Sequence, residues 1–279
     1  MVFEVNRLRW VVAGLAVLVL CGAAFGTRDL QISQALFDPR ATWAMALETY
    51  GEVPGLALVA WAVVRLAGQL WQRRQYIYGL LLAPWAGWVL DSMVRHVAAD
   101  VSSSVVVSVW SGGARLAAWT VAGFGMSLFY ARGVPISVQG PHQAVMRVAV
   151  WMAGVHALLV VQLTKVVWGR VRFRDLAADY SNFTPWYMPQ GFTGHRSFMS
   201  GHAALAWVLL ALTEAAQTPA QRRVSWALVL GYGTLMCVSR IVVGAHYATD
   251  VFFSTAIAWL VFLLVRRRSP VGVGVGVAD

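Results

Sequence analysis

The chain has 279 residues, 59% of them hydrophobic and only 12% charged, about half the charged share of an ordinary soluble domain. That composition excludes a soluble globular enzyme and points to a polytopic helical membrane protein. The formal net charge of +10 does not read as a nucleic-acid footprint, because most arginines flank hydrophobic segments, where anionic headgroups account for them.

In chain order, Arg7 and Arg9 precede a first apolar run, about 10–26, read as a retained anchor with a cytoplasmic N-terminus rather than a cleaved signal peptide. Residues 27–52 follow as a polar-to-mixed loop or short interfacial helix with Asp29, Asp38, Glu48 and Glu52. A second span, about 53–71, ends at Arg73 and Arg74; a third, about 76–95, contains Pro84. Residues 97–109 fit either an outer loop or the start of a span, and a fourth span lies within about 106–130. The fifth covers about 143–165, and an aromatic, charged segment, 166–199, lies outside the membrane. A sixth span starts near Gly201, and the seventh and eighth cover about 225–243 and 249–265. Arg266–Arg268 closes the membrane region before a short flexible tail, 269–279. The expectation is one all-α integral membrane domain over 1–279, a bundle of about eight transmembrane helices.

Alternation of these spans puts Arg7, Arg9, Arg73, Arg74, Arg132, Arg222, Arg223 and Arg266–Arg268 on the cytoplasmic side, with both termini. Three polar clusters then share the extracytoplasmic face: Lys165 to Arg172, Ser200-Gly201-His202, and Ser239-Arg240 through His246 to Asp250. Arginines on that face break the positive-inside tendency, and an anionic ligand is the simplest reason. Lys165 and Arg172, on a continued helix, share a face and stand roughly 10 Å apart along its axis, within reach of one phosphoryl group. Snorkelling interfacial cations are the plainer alternative. Ser200 caps the sixth span, Gly201 lets the backbone come close to an anion, and His202 is placed to donate a proton to a leaving oxygen. His246 and Asp250 are i,i+4, so the carboxylate can fix the imidazole tautomer behind a nucleophilic histidine.

His195 and Arg196, with Arg170 and Arg174, are expected at the substrate entrance, and ion pairs with Asp175 and Asp179 are expected to organise that loop. His156, inside the fifth span, reads as a packed histidine rather than a cofactor ligand. Trp168, Phe173, Tyr180, Phe183, Trp186, Tyr187 and Phe192 fit an interfacial aromatic belt or a lipid groove equally well. Cys21 and Cys237 lie in apolar runs and set no disulfide framework or metal spacing. No HExxH or compact Cys/His spacing supports a metal site.

These motifs resemble those of the type 2 phosphatidic acid phosphatase superfamily, whose signatures place lysine and arginine seven apart before a proline, then Pro-Ser-Gly-His, then Ser-Arg, histidine and aspartate. The resemblance covers about residues 165–250, with Phe173 and Met199 where the family has prolines. It implies a six-helix phosphatase core, no divalent metal and no cofactor. It also implies roles: His246 attacks phosphorus, Asp250 orients it, and His202 protonates the leaving group. Lys165, Arg172, Ser200, Gly201 and Arg240 hold the phosphoryl oxygens.

The leading expectation is therefore hydrolysis of a lipid phosphomonoester or diphosphate at the extracytoplasmic face of a bacterial inner membrane. Undecaprenyl diphosphate and phospholipid phosphates lead among the substrates, and no nucleic acid or obligate protein partner is implied. A lipid-to-lipid phosphotransferase using the same intermediate, or a non-catalytic lipid or anion transporter, is the alternative.

Overall fold

A computed structural model describes residues 24–75 and 140–266, with isolated positions at 20, 22, 77, 78, 82, 85, 87, 121 and 125. Two short helices, α1 (Asp29–Leu36) and α2 (Thr42–Tyr50), lead into α3 (Val53–Gln72). Pro54 occupies the first turn of α3, where a missing N–H breaks no helical bond. The 20 residues of α3 rise about 30 Å, the thickness of a hydrocarbon core. Helix α4 (Pro141–Trp151) continues through a π-helical stretch, Met152–Val160, into α5 (Val161–Trp168). Gly169 ends it in the left-handed conformation, at φ 55°. A Cβ there would collide with the Gly191 carbonyl oxygen, so both backbone and packing require glycine.

A loop with one 3-10 turn, Phe173–Asp175, leads to α6 (Gly201–Val208), which Leu209–Ala215 prolongs as 3-10 turns. Then come α7 (Pro219–Val242), opened by a Thr218–Gln221 capping box, and α8 (Ala248–Val265). Helix α6 is buried on every side from Ala203 to Val208, the mark of a central helix. Its alanines let α3, the π-helical stretch, α7 and α8 come close around it. Gln69 near the end of α3 donates to Gln143 near the start of α4 at 2.6 Å, which ties these two helices antiparallel.

Among the described residues, four stretches are long and apolar enough to cross a membrane: Thr42–Gln72, Pro141–Asp175, Pro219–Val242 and Ala248–Val265, with Gly201–Ala215 a shorter apolar helix. They correspond to the second, fifth, seventh, eighth and sixth expected spans. The segment 27–52, expected as a loop or one interfacial helix, folds into two helices. The expected spans near 10–26, 76–95 and 106–130 lie outside or almost wholly outside the described residues, as do the tail and Arg7, Arg9, Arg132, Arg267 and Arg268.

The end of α5, the start of α6, the end of α7, the start of α8 and the α2–α3 corner meet at one end of this bundle. The opposite end carries Arg73, Arg74, Arg222, Arg223 and Arg266.

Candidate active site

Gly244, at φ 67°, turns the chain out of α7. A Cβ on it would stand 2.7 Å from the Phe37 ring. The turn delivers His246 into a buried position, 4% exposed. Its Nδ1 lies 2.6 Å from the Ser197 carbonyl oxygen. That oxygen only accepts, so Nδ1 carries the proton and the lone pair is left on Nε2. Burial pushes the His246 pKa down to about 4, which keeps the ring neutral near pH 7. Lys165 and Arg240 both lie within electrostatic reach of it.

Asp250 does pair with His246, but loosely: its Oδ2 is 3.6 Å from Nδ1, beyond an ordinary hydrogen bond. The same oxygen accepts from the Ser197 hydroxyl at 2.6 Å and from the Tyr247 N–H at 2.9 Å. The carboxylate therefore fixes the side chain of Ser197, whose carbonyl in turn holds the imidazole.

The other oxygen of Asp250 accepts from Arg170 Nη1 at 2.6 Å. Arg170, expected at the entrance, is instead 1% exposed. It reaches Asp29 with Nη2 at 2.9 Å and the Thr184 carbonyl with Nε at 2.9 Å, and lies 3.9 Å from the centre of the Tyr247 ring. Asp29 also accepts from the Thr249 N–H at 3.0 Å and from the Thr249 hydroxyl. The N–H groups of Tyr247, the N-cap of α8, and of Thr249 in its first turn thus end on two buried carboxylates with a guanidinium between them. Burial raises the pKa of Asp29, while Arg170 opposes that rise.

The continued helix expected through Arg172 does not form, because Gly169 stops α5 and Arg172 is extended. Lys165 nonetheless stays within electrostatic reach of Arg172, Arg196, Arg240 and Glu52. Its Nζ lies at the N-terminus of α6, where a Cβ on Gly201 would stand 3.2 Å away. Ser200 caps α6, its hydroxyl accepting from the Ala203 N–H at 3.3 Å. Arg240 is 1% exposed and donates to Glu48 Oε1 at 2.8 Å. Its Nε and Nη1 are buried without a hydrogen-bond partner among the described residues. Unspent guanidinium donors beside a lysine and a helix N-terminus are what a tetrahedral oxyanion needs.

Both ring nitrogens of His202 face acceptors: Nδ1 lies 2.9 Å from Glu52 Oε1 and Nε2 lies 3.0 Å from the Glu48 carbonyl oxygen. Arg174, His195 and Arg196, expected at the entrance, are exposed. Arg174 pairs with Glu48 at 3.0 Å, and Arg196 donates to Gln162 at 3.0 Å. Arg170 and Arg174 thus find acids from other elements rather than Asp175 and Asp179. Most of the loop's aromatics pack inward, Trp168 on Phe198 and Phe173 against Phe37 and Tyr247, whereas Tyr180, Tyr187 and Phe192 are exposed. His156 is fully buried, with Ser254 as its neighbour at 3.4 Å.

Ser197, Asp29, Glu48 and Glu52 are the participants that sequence reasoning missed. Four of the chain's 12 acids, Asp29, Asp38, Glu48 and Glu52, fall within 27–52 on the same expected side as the unexplained arginines, and that coincidence was the available signal.

Among the described residues, no group of three or more His, Cys, Asp or Glu side chains is arranged to hold a metal ion. Comparison with curated proteins and with solved structures returned no match. The family model of the PAP2 superfamily matches residues 144–271, a stretch that contains all three polar clusters. Carried on apolar helices, the segment 144–271 is a PAP2 superfamily domain.

Proposed function

We propose that the chain is a metal-independent lipid phosphatase working through a phosphohistidine, with its site at the extracytoplasmic face of a bacterial inner membrane. One observation carries the reading: a neutral, tautomerically fixed His246 lies close to Arg240, whose Nε and Nη1 have no acceptor among the described residues. In the first step the His246 Nε2 lone pair forms the N–P bond as the P–O bond to the lipid breaks, and the His202 proton passes to the leaving oxygen. In the second, water attacks phosphorus, its proton returns to His202, and the N–P bond breaks. Lys165, Arg172, Arg240 and the N-terminus of α6 stabilise the equatorial oxygens in both steps. Asp250 acts through Ser197.

Undecaprenyl diphosphate or a phospholipid phosphate is the leading substrate. With Arg170 withdrawn into a buried ion pair, recognition of a second phosphate rests on Arg172 and Arg196. The deciding experiment measures phosphate release from a panel of such lipids by wild type and His246→Ala, with and without chelator. Wild type is expected to be active and chelator-insensitive, and the variant to lose on the order of 10³-fold or more. Metal-dependent release that survives His246→Ala would overturn the mechanism.

A further inference from the structure

The acid partner of His202 comes from outside the segment that matches the family. Glu52 ends the α2–α3 corner, ahead of the match at 144–271, and its Oε1 lies 2.9 Å from His202 Nδ1. The ring is 21% exposed and the carboxylate 13% exposed, so the contact is partly shielded from water. Glu52 also lies within electrostatic reach of Lys165 and Arg240, which puts it inside the cationic site rather than beside it.

The second ring nitrogen donates to the Glu48 carbonyl oxygen at 3.0 Å. Glu48 stands in the last turn of α2, where carbonyls lack helical partners. That oxygen is an exchangeable acceptor, whereas the Nδ1 contact is a charge-assisted bond. The two nitrogens are therefore unequal. One is anchored by a carboxylate, and the other holds its proton against a group that a substrate oxygen can replace.

From this geometry we propose that Glu52 is a positioning residue for proton delivery. It fixes Nδ1–H of His202 so that Nε2 presents its proton to the departing oxygen. The inference rests on the role given to His202 above. The bond changes are those already written: the proton leaves Nε2 for the leaving oxygen as the N–P bond forms on His246, and Glu52 neither gains nor loses a proton. A plain structural role, in which His202 merely caps α2 and Glu52 steadies it, predicts something different.

The two separate on leaving groups. A nitrophenolate departs with little help, whereas an alkoxide needs the proton. Phosphate monoesters graded from nitrophenyl through phenyl to alkyl would be compared by kcat/KM, which reports the phosphorylation step. In Glu52→Gln the alkyl ester is expected to fall by roughly 10²-fold, with progressively smaller losses toward the nitrophenyl ester, so that dependence on the leaving group steepens. Glu52→Asp is expected to recover part of the alkyl activity. On a His202→Gln background, Glu52→Gln should add little, because the two act as one unit. Equal loss across the series, no loss at all, or full additivity with His202→Gln would overturn the proposal. Inactive wild type would instead overturn the phosphatase reading itself.

Discussion

His246 is held in place by a backbone carbonyl more than by a carboxylate. Its 2.6 Å contact to Ser197 fixes the tautomer, and Asp250 secures Ser197 from behind. The sequence shows the i,i+4 spacing of His246 and Asp250 but not the loop residue that folds between them. Burial has a thermodynamic consequence. The folded-state pKa is depressed to about 4 from 6.5, so on acidification the unfolded chain binds a proton before the folded one does. The stability from burying a neutral ring is present above about pH 6.5 and is lost as pH falls toward 4. His246→Gln keeps a donor for the Ser197 carbonyl but removes the titration. Over that window the wild-type melting temperature in detergent should therefore fall more steeply than that of His246→Gln. Parallel curves would show that the ring does not titrate across the window.

Helix α1 is joined to the first turn of α8 by the Asp29–Arg170–Asp250 chain, with contacts of 2.9 and 2.6 Å and all three side chains almost completely buried. Losing Asp29 leaves Arg170 and Asp250 as a balanced pair but strips Arg170 Nη2, the Thr249 N–H and the Thr249 hydroxyl of their buried acceptor, and orphaned buried donors are costly. Asp29→Ala should cost about 3 kcal/mol of stability and loosen α1, whose flanking Arg28 and Arg40 are exposed. Trypsin cleavage at those arginines, followed by mass spectrometry, should quicken in the variant. Unchanged cleavage and stability would show that α1 is held mainly by apolar packing. The cations and histidines that gather at the candidate site were legible because they recur over 165–250 between apolar runs. Their acidic partners were not, since Asp29 meets Arg170 across a separation of 141 residues. Arg170 was misplaced for the same reason: local sequence gives a charge but not its distant partner. The break after α5 was within reach, since Gly169 just past a helical pattern is an ordinary C-cap signal.

Charge divides along the whole bundle. Arg73, Arg74, Arg222, Arg223 and Arg266 cluster at the end away from the site, which by the positive-inside tendency belongs in the cytoplasm. The site end carries Lys165, Arg170, Arg172, Arg174, Arg196 and Arg240, but Asp29, Asp250 and Glu48 engage three of these directly. In the proposed orientation that pairing lowers the cost of so cationic a face outside, and it leaves Lys165, Arg172 and Arg196 most available to an anionic headgroup. Orientation follows as a prediction with two positions on opposite ends. Ser181 is exposed in the loop over the site, and Gln217 is exposed in the turn before α7. In a background with Cys21 and Cys237 replaced by serine, Ser181→Cys should react with a membrane-impermeant maleimide on intact spheroplasts. Gln217→Cys should react only after permeabilisation. The reverse pattern would put the site in the cytoplasm and point to a substrate in the inner leaflet. Equal labelling of both from outside would mean that α6 with its 3-10 extension, the shortest apolar segment at Gly201–Ala215, fails to carry the chain across.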